Sequence, residues 1–423
     1  MEYSYISRLA DRQLEYSLET TGAVLIEGPK WCGKTSTAEN IAKSVLYMQD
    51  PDETKENMIK ADTKPSLLLE GETPRLLDEL QVAPVLWNAV RFAIDKRRKS
   101  GQFILTGSVV PTRTDDMHSG TGRISRMKMG TMSLFESGES SGIISLLDLF
   151  DGKVDMHGAS LVKGPEHLAF ILTRGGWPSA VTEKREKIAH QKVYDYVEAV
   201  VNEDISRVDG IEKNPDRVRS LIRSISRNIS TEASTTTILK DLRTNDASLS
   251  QVTIDAYINC LRRLFVIEDL PAWSPHLRSK RAIRTTAKRH FADPSIATAS
   301  LRASQSKLMG DFESFGMLFE SLCIRDLRVY ANSIDGNVFH YRDQLGVEVD
   351  AIICLNDERW GAVEVKMGAG MIEAAAENLL KFRDNIDIAR TPAPSFLMIL
   401  TATESAFQMK NGVWVVPLGC LRD

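Results

Sequence analysis

The stretch AVLIEGPKWCGKTST, residues 23–37, runs from an apolar strand through a glycine-containing loop into helix-forming residues. Leu76 and Leu77 in PRLLDELQ read as a second short strand that ends in acid, and QFILTGS at 102–108 reads as a third. Between them, Val85, Leu86, Ala89, Val90, Ala93 and Ile94 recur at helical spacing. The order strand, loop, helix, strand, helix, strand predicts a parallel sheet with helical crossovers. Ligands of such a sheet sit at the carboxyl ends of its strands.

From about residue 165 the pattern turns helical, with Val193, Tyr196, Val197 and Val200 on one stripe. DRVRSLIRSISRNIS predicts another amphipathic helix. A short helix, a polar turn, a longer helix over Ser250–Leu264 and a strand over Phe265–Leu270 outline a winged helix-turn-helix. Phe315, Leu318, Phe319 and Leu322 mark a further helix. Val347–Ile353 and Arg359–Gly368 then alternate as strands, and a helix follows at MIEAAAENLLKFRDN. The expected fold class is α/β: a parallel sheet with helical crossovers, a helical, winged-helix-like middle, and an α/β C-terminal domain. The expected boundaries are 1–164, 165–290 and 291–423.

Composition narrows the class. At 423 residues the chain is long enough for two or three domains, since one core rarely serves more than about 250–300 residues. With 26% charged and 43% hydrophobic residues the balance is that of a soluble globular protein. No apolar run of about 18 residues occurs, so no membrane partner is expected. The polar N-terminus lacks the shape of a signal peptide. Cys32, Cys260, Cys323, Cys354 and Cys420 lie far apart without a C-x-x-C pair, which argues for free thiols in a reducing cytoplasm. The net charge of −4 does not itself point to nucleic acid.

The loop carries the chemistry. Gly28-x-x-x-x-Gly33-Lys34-Thr35 is a P-loop, and each part has a phosphate-binding task. The expected nucleotide cradle is Gly28, Pro29, Lys30, Trp31, Cys32, Gly33, Lys34, Thr35 and Ser36. Its glycines let backbone N–H groups point at phosphate oxygens. Lys34 can reach the β- and γ-phosphates, Thr35 can ligate Mg²⁺, and a helix starting near Lys34 adds its N-terminal dipole. Asp78 would hold the metal and Glu79 would polarise the attacking water, the adjacent acids that separate ATPases from nucleotide binders. The third strand's tip, Thr106 to Ser108, stands where a polar sensor is placed, with Ser108 the expected catalytic residue. ATP and Mg²⁺ are the expected cofactors.

The blocks GPKWCGKT, PRLLDELQ, VLWNAVRFAID, GQFILTGS, HSGTGRISRMKMGTMSLFES and RGGWPSA resemble the prokaryotic AAA-like ATPases that carry a C-terminal domain of unknown function. The resemblance spans 28–180 and continues more weakly beyond. It implies an ATPase of the AAA+ class, with the parallel sheet as an AAA-type P-loop NTPase domain, and no particular cellular role. Arg123 and Arg126 lie in one of these blocks. An arginine there can reach a γ-phosphate in its own or a neighbouring subunit, or simply pair with a surface acid, and Arg123 is the stronger of the two. A homo-oligomer stays open.

Two C-terminal features bear on the partner. Arg278, Lys280, Arg281, Arg284, Lys288 and Arg289 cluster without an acid, which nominates this segment for contact with a DNA backbone. Asp350 on one strand, with Glu364 and Lys366 on the next, resembles the restriction-endonuclease core. With Glu320 from the preceding helix, the acids could hold Mg²⁺ while Lys366 steadies a phosphate. A charged hairpin face is the plain alternative. Three functions follow: an ATP-driven enzyme that cuts DNA, a nucleotide-switched binding module that does not cut, and a protein-remodelling ATPase.

Overall fold

The computed structural model describes residues 5–107, 120–154, 159–275, 285–343 and 346–423. The chain forms two compact units: Met1–Thr131 with Arg263–Phe265, and Met132–Arg262 with Val266–Asp423.

The first unit opens with α1 (Leu9–Thr20) and β1 (Ala23–Glu27), followed by α2 (Lys34–Ile41), β2 (Ser44–Tyr47) and α3 (Thr54–Thr63). Then come β3 (Arg75–Asp78), α4 (Val85–Arg97), β4 (Phe103–Gly107) and β5 (Ile124–Lys128). The five strands order as β2-β3-β4-β1-β5, and every pairing is parallel. Strand alternation splits β1 between two cores. Ala23 and Leu25 pack with Leu86, Trp87, Val90 and Ile94 of α4. Val24 and Ile26 pack with Leu14 and Leu18 of α1 and Ala38 of α2. With both faces covered, all of β1 is buried, and its carboxyl end is fixed as a platform for the loop that follows.

The second unit begins with β6 (Ile144–Ser145) and α5 (Leu146–Asp151). A helical array follows: α6 (Gly164–Arg174), α7 (Pro178–Val181), α8 (Glu186–Ala199), α9 (Ile205–Arg207), α10 (Pro215–Arg227), α11 (Thr235–Arg243) and α12 (Gln251–Arg263). Asn214, Ser234 and Ser304 cap the helices they precede by accepting backbone N–H bonds, which sharpens these starts. After α13 (Ser295–Leu301), α14 (Gln305–Gly310) and α15 (Phe312–Ser333) come β7 (Gly336–Arg342), β8 (Glu348–Leu355) and β9 (Trp360–Lys366). The chain ends with α16 (Ile372–Asp384), β10 (Phe396–Thr401), β11 (Phe407–Gln408), β12 (Trp414–Pro417) and β13 (Leu421–Arg422). Six strands order as β11-β12-β10-β9-β8-β7. β7, β8 and β9 form an antiparallel meander, while β10 runs parallel to both β9 and β12. α16 buries Ile372, Ala376, Leu379 and Phe382 against Ile352, Ala362 and Ile399 of the sheet.

One sequence expectation changes here, and the compact units divide the chain in their own way. The compact units divide at residue 132, and the segment from there packs in the second unit. The Met132 amide donates to Gly176 O, and β6 pairs with β13 through Ile144 and Leu421. The helical middle and the C-terminal sheet fall in one compact unit. The strand expected over Phe265–Leu270 is instead a pair of isolated antiparallel bridges, Ile267 with Phe291 and Leu270 with Lys288. Phe265 at φ +56° interrupts extended backbone there.

A buried charge network ties the second unit together. Arg325 on α15 pairs with Asp293 at 3.0 Å and with Asp326 at 2.6 Å, all three shielded from solvent. Asp293 accepts the Gly176 amide at 2.9 Å, and Asp326 accepts that of Leu134 at 3.0 Å. Gly176 lies so close to the 132 segment that a Cβ would stand 2.2 Å from Met132 O.

Candidate functional site

In the first unit, β1 delivers Gly28 to the mouth of the sheet. A Cβ there would meet Met129 O at 2.0 Å, so the close passage of the segment after β5 requires glycine. Gly33 turns the loop at φ +104° and starts α2, whose first turn has no side-chain cap. Uncapped amides in the first turn of a helix are the arrangement that receives an anion. Lys34 is buried, and its ammonium donates to Gly28 O at 2.9 Å and Pro29 O at 2.8 Å. Pro29 and Cys32 are buried within the loop, Lys30 is partly exposed, and Trp31 and Ser36 face solvent.

The neighbouring strand ends complete the site. Asp78 closes β3, and its Oδ1 accepts from Thr35 Oγ1 at 2.8 Å and from Thr106 Oγ1 at 2.7 Å. Thr106 is fully buried on β4 and also receives the Glu79 amide at 3.0 Å. Glu79 adopts a left-handed φ of +57°, which turns the chain just past Asp78, and its carboxylate accepts from Gln81. Thr35, Asp78, Glu79 and Thr106 therefore converge beside the P-loop. Thr106, at the inner end of the expected sensor tip, is the residue placed against Asp78; Ser108 lies outside the described residues.

Arg123 is not brought to this site. In the parallel register Ala23 pairs with Ile124 and Glu27 with Lys128, so Arg123 precedes the amino end of the sheet while the P-loop follows its carboxyl end. Five residues at about 3.3 Å each separate the two levels. Arg123 is half-exposed and pairs with Asp95 at 2.9 Å. Arg126 pairs with Glu27, next to the loop, and its guanidinium lies 5.6 Å over the Trp87 ring.

Arg8 has no signal in the sequence motifs, yet it braces the loop from behind. Its guanidinium is buried and donates to Cys32 O at 2.8 Å and to Gly130 O at 3.0 Å. Tyr5 adds a hydroxyl contact of 2.9 Å to Thr37 of α2. Only an arginine fork near an apolar helix start hinted at such a role, and that is too common to single out.

The second unit does assemble its expected charged residues. Lys366 approaches Glu364 at 2.7 Å and Asp350 at 3.5 Å. Asp350 Oδ2 accepts the Val365 amide at 2.9 Å, and Glu364 accepts from Asn378 of α16 at 2.7 Å. Lys288 joins them unexpectedly, bridging Glu320 at 2.8 Å and Asp350 at 3.1 Å. Burial first, then the Asp350 charge, push the Glu320 and Glu364 carboxyls up to about 7. Burial alone would raise the Asp350 carboxyl, but Lys288 and Lys366 hold it below its usual range. Burial would likewise lower the Lys288 ammonium, yet Asp350 and Glu320 outweigh it and hold it above its ordinary value.

This corrects the expected nucleic-acid surface. Lys288 and Arg289 are buried ion-pair partners, not exposed phosphate contacts. Arg289 donates to Ala233 O at 3.0 Å and to Asp269 at 2.9 Å. Desolvation of both cations is offset only by these fixed acceptors. Arg278, Lys280, Arg281 and Arg284 lie outside the described residues. Among the described residues no helix is long and apolar enough to cross a membrane.

Comparison with known proteins adds a family frame. Residues 20–137 match an AAA domain. Residues 165–307 match a domain of unknown function, DUF8612, and residues 315–421 match another, DUF4143. No curated protein matches the chain. Among solved structures, a Walker-type ATPase of Pyrococcus abyssi is 14% identical, with a TM-score of 0.44 over 71% of this chain and 97% of that one. A DNA polymerase III gamma-subunit-related protein of Thermotoga maritima is 14% identical, with a TM-score of 0.23 over 61% of this chain and 100% of that one. Drosophila ORC, solved bound to DNA, is 14% identical, with a TM-score of 0.18 over 70% of this chain and 85% of that one. The AAA-domain match and the five-stranded parallel sheet together show an α/β P-loop NTPase fold in the first unit.

Proposed function

We propose that the first unit hydrolyses ATP with Mg²⁺ and that the second unit binds DNA under control of the nucleotide state without cutting it. The observation that carries the ATPase reading is the chain Thr35 Oγ1–Asp78 Oδ1–Thr106 Oγ1 at the mouth of the P-loop. A phosphate cradle alone binds nucleotide; a carboxylate fixed between two hydroxyls beside it supplies the metal and water side of hydrolysis.

The donor set fits Mg²⁺, a hard cation that takes oxygen ligands and keeps several waters. Thr35 Oγ1 and Asp78 would hold it, and when bound it neutralises phosphate charge. The Lys34 ammonium, now on the Gly28 and Pro29 carbonyls, exchanges those acceptors for β- and γ-phosphate oxygens. The α2 amides cradle the same oxygens. Thr106 holds Asp78 and, through the Glu79 amide, fixes where the Glu79 carboxylate emerges. Glu79 then orients the attacking water and takes its proton. Lys34→Ala should abolish ATP turnover and weaken nucleotide binding, and Glu79→Gln should bind ATP but stall hydrolysis. Unchanged steady-state turnover in Lys34→Ala would remove the assignment; full activity in Glu79→Gln would remove Glu79 as base.

Two observations support the reading of the second unit. α10, α11 and α12, followed by the antiparallel bridges of 267–270 with 288–291, resemble a winged helix. α15, the β7-β8-β9 meander, α16 and the parallel β10 resemble a restriction-endonuclease core, with Asp350 on β8 and Glu364 and Lys366 on β9. Binding is favoured over cutting because Lys288 stands within the acid cluster. ATPase rates with and without single- and double-stranded DNA test the coupling. DNA should raise the rate and be retained with a steep salt slope, and plasmid should survive Mg²⁺ and Mn²⁺. Cleavage lost in Asp350→Ala would establish the cutting enzyme instead, and stimulation by protein alone the remodelling ATPase.

A further inference from the structure

We propose that the Lys288 ammonium fills the cation position of the Glu320–Asp350–Glu364 cluster, which makes this acidic site a metal-free ion-paired joint instead of a metal centre. Metal-assisted phosphodiester chemistry needs carboxylate oxygens from separate elements to converge on one position that substrate can share. In the second unit that position lies between Glu320 of α15 and Asp350 of β8, and Lys288 bridges it at 2.8 and 3.1 Å. Lys366 closes the other side against Glu364 and Asp350. Other acceptors are engaged as well, Asp350 Oδ2 with the Val365 amide and Glu364 with Asn378. Three carboxylates thus meet two ammonium groups. Removing Lys288 would leave three acids and one lysine, the charge pattern that attracts a divalent ion.

Lys288 is not a side chain that happens to rest there. Its backbone exchanges both hydrogen bonds with Leu270, at 2.8 and 3.0 Å, and the adjacent Arg289 is anchored to Asp269 and Ala233. Its side chain is 9% exposed. A divalent ion entering the cluster would have to displace a buried ammonium already held by two carboxylates. Consistently, no set of three or more His, Cys, Asp or Glu side chains among the described residues has an arrangement that could hold a metal. The joint instead links the 288–291 bridge, α15 and β8, three stretches that carry the winged-helix-like and endonuclease-like parts.

The test uses the full chain without nucleotide and Mn²⁺ as the probe, with free Mn²⁺ read by electron paramagnetic resonance. The wild type should show no Mn²⁺ binding that Asp350→Asn removes. Lys288→Met should gain one bound Mn²⁺ per chain, lost again when Asp350→Asn is added. Asp350-dependent Mn²⁺ binding by the wild type would overturn the proposal, whether or not the variant folds. So would a Lys288→Met or Lys288→Gln chain that melts cooperatively and gains no Mn²⁺. Binding at Thr35 and Asp78 is insensitive to Asp350, so failure of the ATPase reading and failure of this one are separable.

Discussion

Thr106 shows how much one hydroxyl can organise. It donates to Asp78 and receives the Glu79 amide, so two adjacent acids are fixed by a single buried side chain. Thr106→Val keeps the shape and removes both bonds. We expect kcat to fall by about 10- to 100-fold, the cost typical of losing a partner that orients a ligand, while nucleotide affinity changes little. Rapid filtration with labelled ATP beside a steady-state assay separates the two; equal loss of affinity and rate would make Thr106 a binding residue. Motif spacing made Lys34, Thr35, Asp78 and Glu79 legible. It could not show Arg8, whose contacts to Cys32 and Gly130 lie 24 and 122 residues away. Lys288 was misread for the same reason. Its run contains no acid, and its partners Glu320 and Asp350 lie 32 and 62 residues further on.

Among elements, the buried strands of the first sheet were readable and its edges were not. β1 and β4 are buried throughout because both faces are covered, and β8 and β9 alternate in their polar reaches. β2 and β5 went unread because they border the sheet. Only Leu46 of β2 and Ile124 and Met127 of β5 are buried, too few for a period to emerge. α15 was expected from its apolar stripe, but nothing local announced that Arg325 and Asp326 on it would be buried. That pair makes a prediction for the element. Arg325→Met leaves Asp293 and Asp326 as buried uncompensated charges and should cost about 3–5 kcal/mol. Urea melts should show it directly. Replacing all three with apolar residues should cost less than the single change; a single-variant loss below 1 kcal/mol, on the order of an exposed pair, would mean that the network is not closed to water.

At the scale of the molecule, the second unit also carries two imidazoles held neutral. Burial, then Arg328, Lys288 and His340, pull His290 well below its ordinary value. Burial, then Lys288, with Arg342 also nearby, lower His340 to about 4, against the raising effects of the Thr286 carbonyl and Asp350. The unfolded chain binds a proton at each site near pH 6.5, so it takes up more protons than the folded chain between that value and the folded one. The contribution is complete above the unfolded pKa and is lost as pH falls toward 4. For His340 it reaches about 3 kcal/mol. Glu320 and Glu364 titrate in the opposite sense, so the stability difference between wild type and His340→Gln is the quantity to follow. It should shrink as pH drops from 6.5 to 4, and a pH-independent difference would refute a neutral buried imidazole.

The pairing of Ile144 with Leu421 sets a rule for synthesis. Leu134, Gly176, Asp293 and Arg325 meet in the same buried network, so the second unit is sewn from segments made early and late. Nearly all of the first unit, by contrast, lies within its first 131 residues. On a ribosome the nucleotide module can condense while the rest is still being translated. The second unit is not complete until residue 421 has been made, and such distant closures are slow and open to aggregation. The nucleotide module should therefore be folded before the second unit is complete.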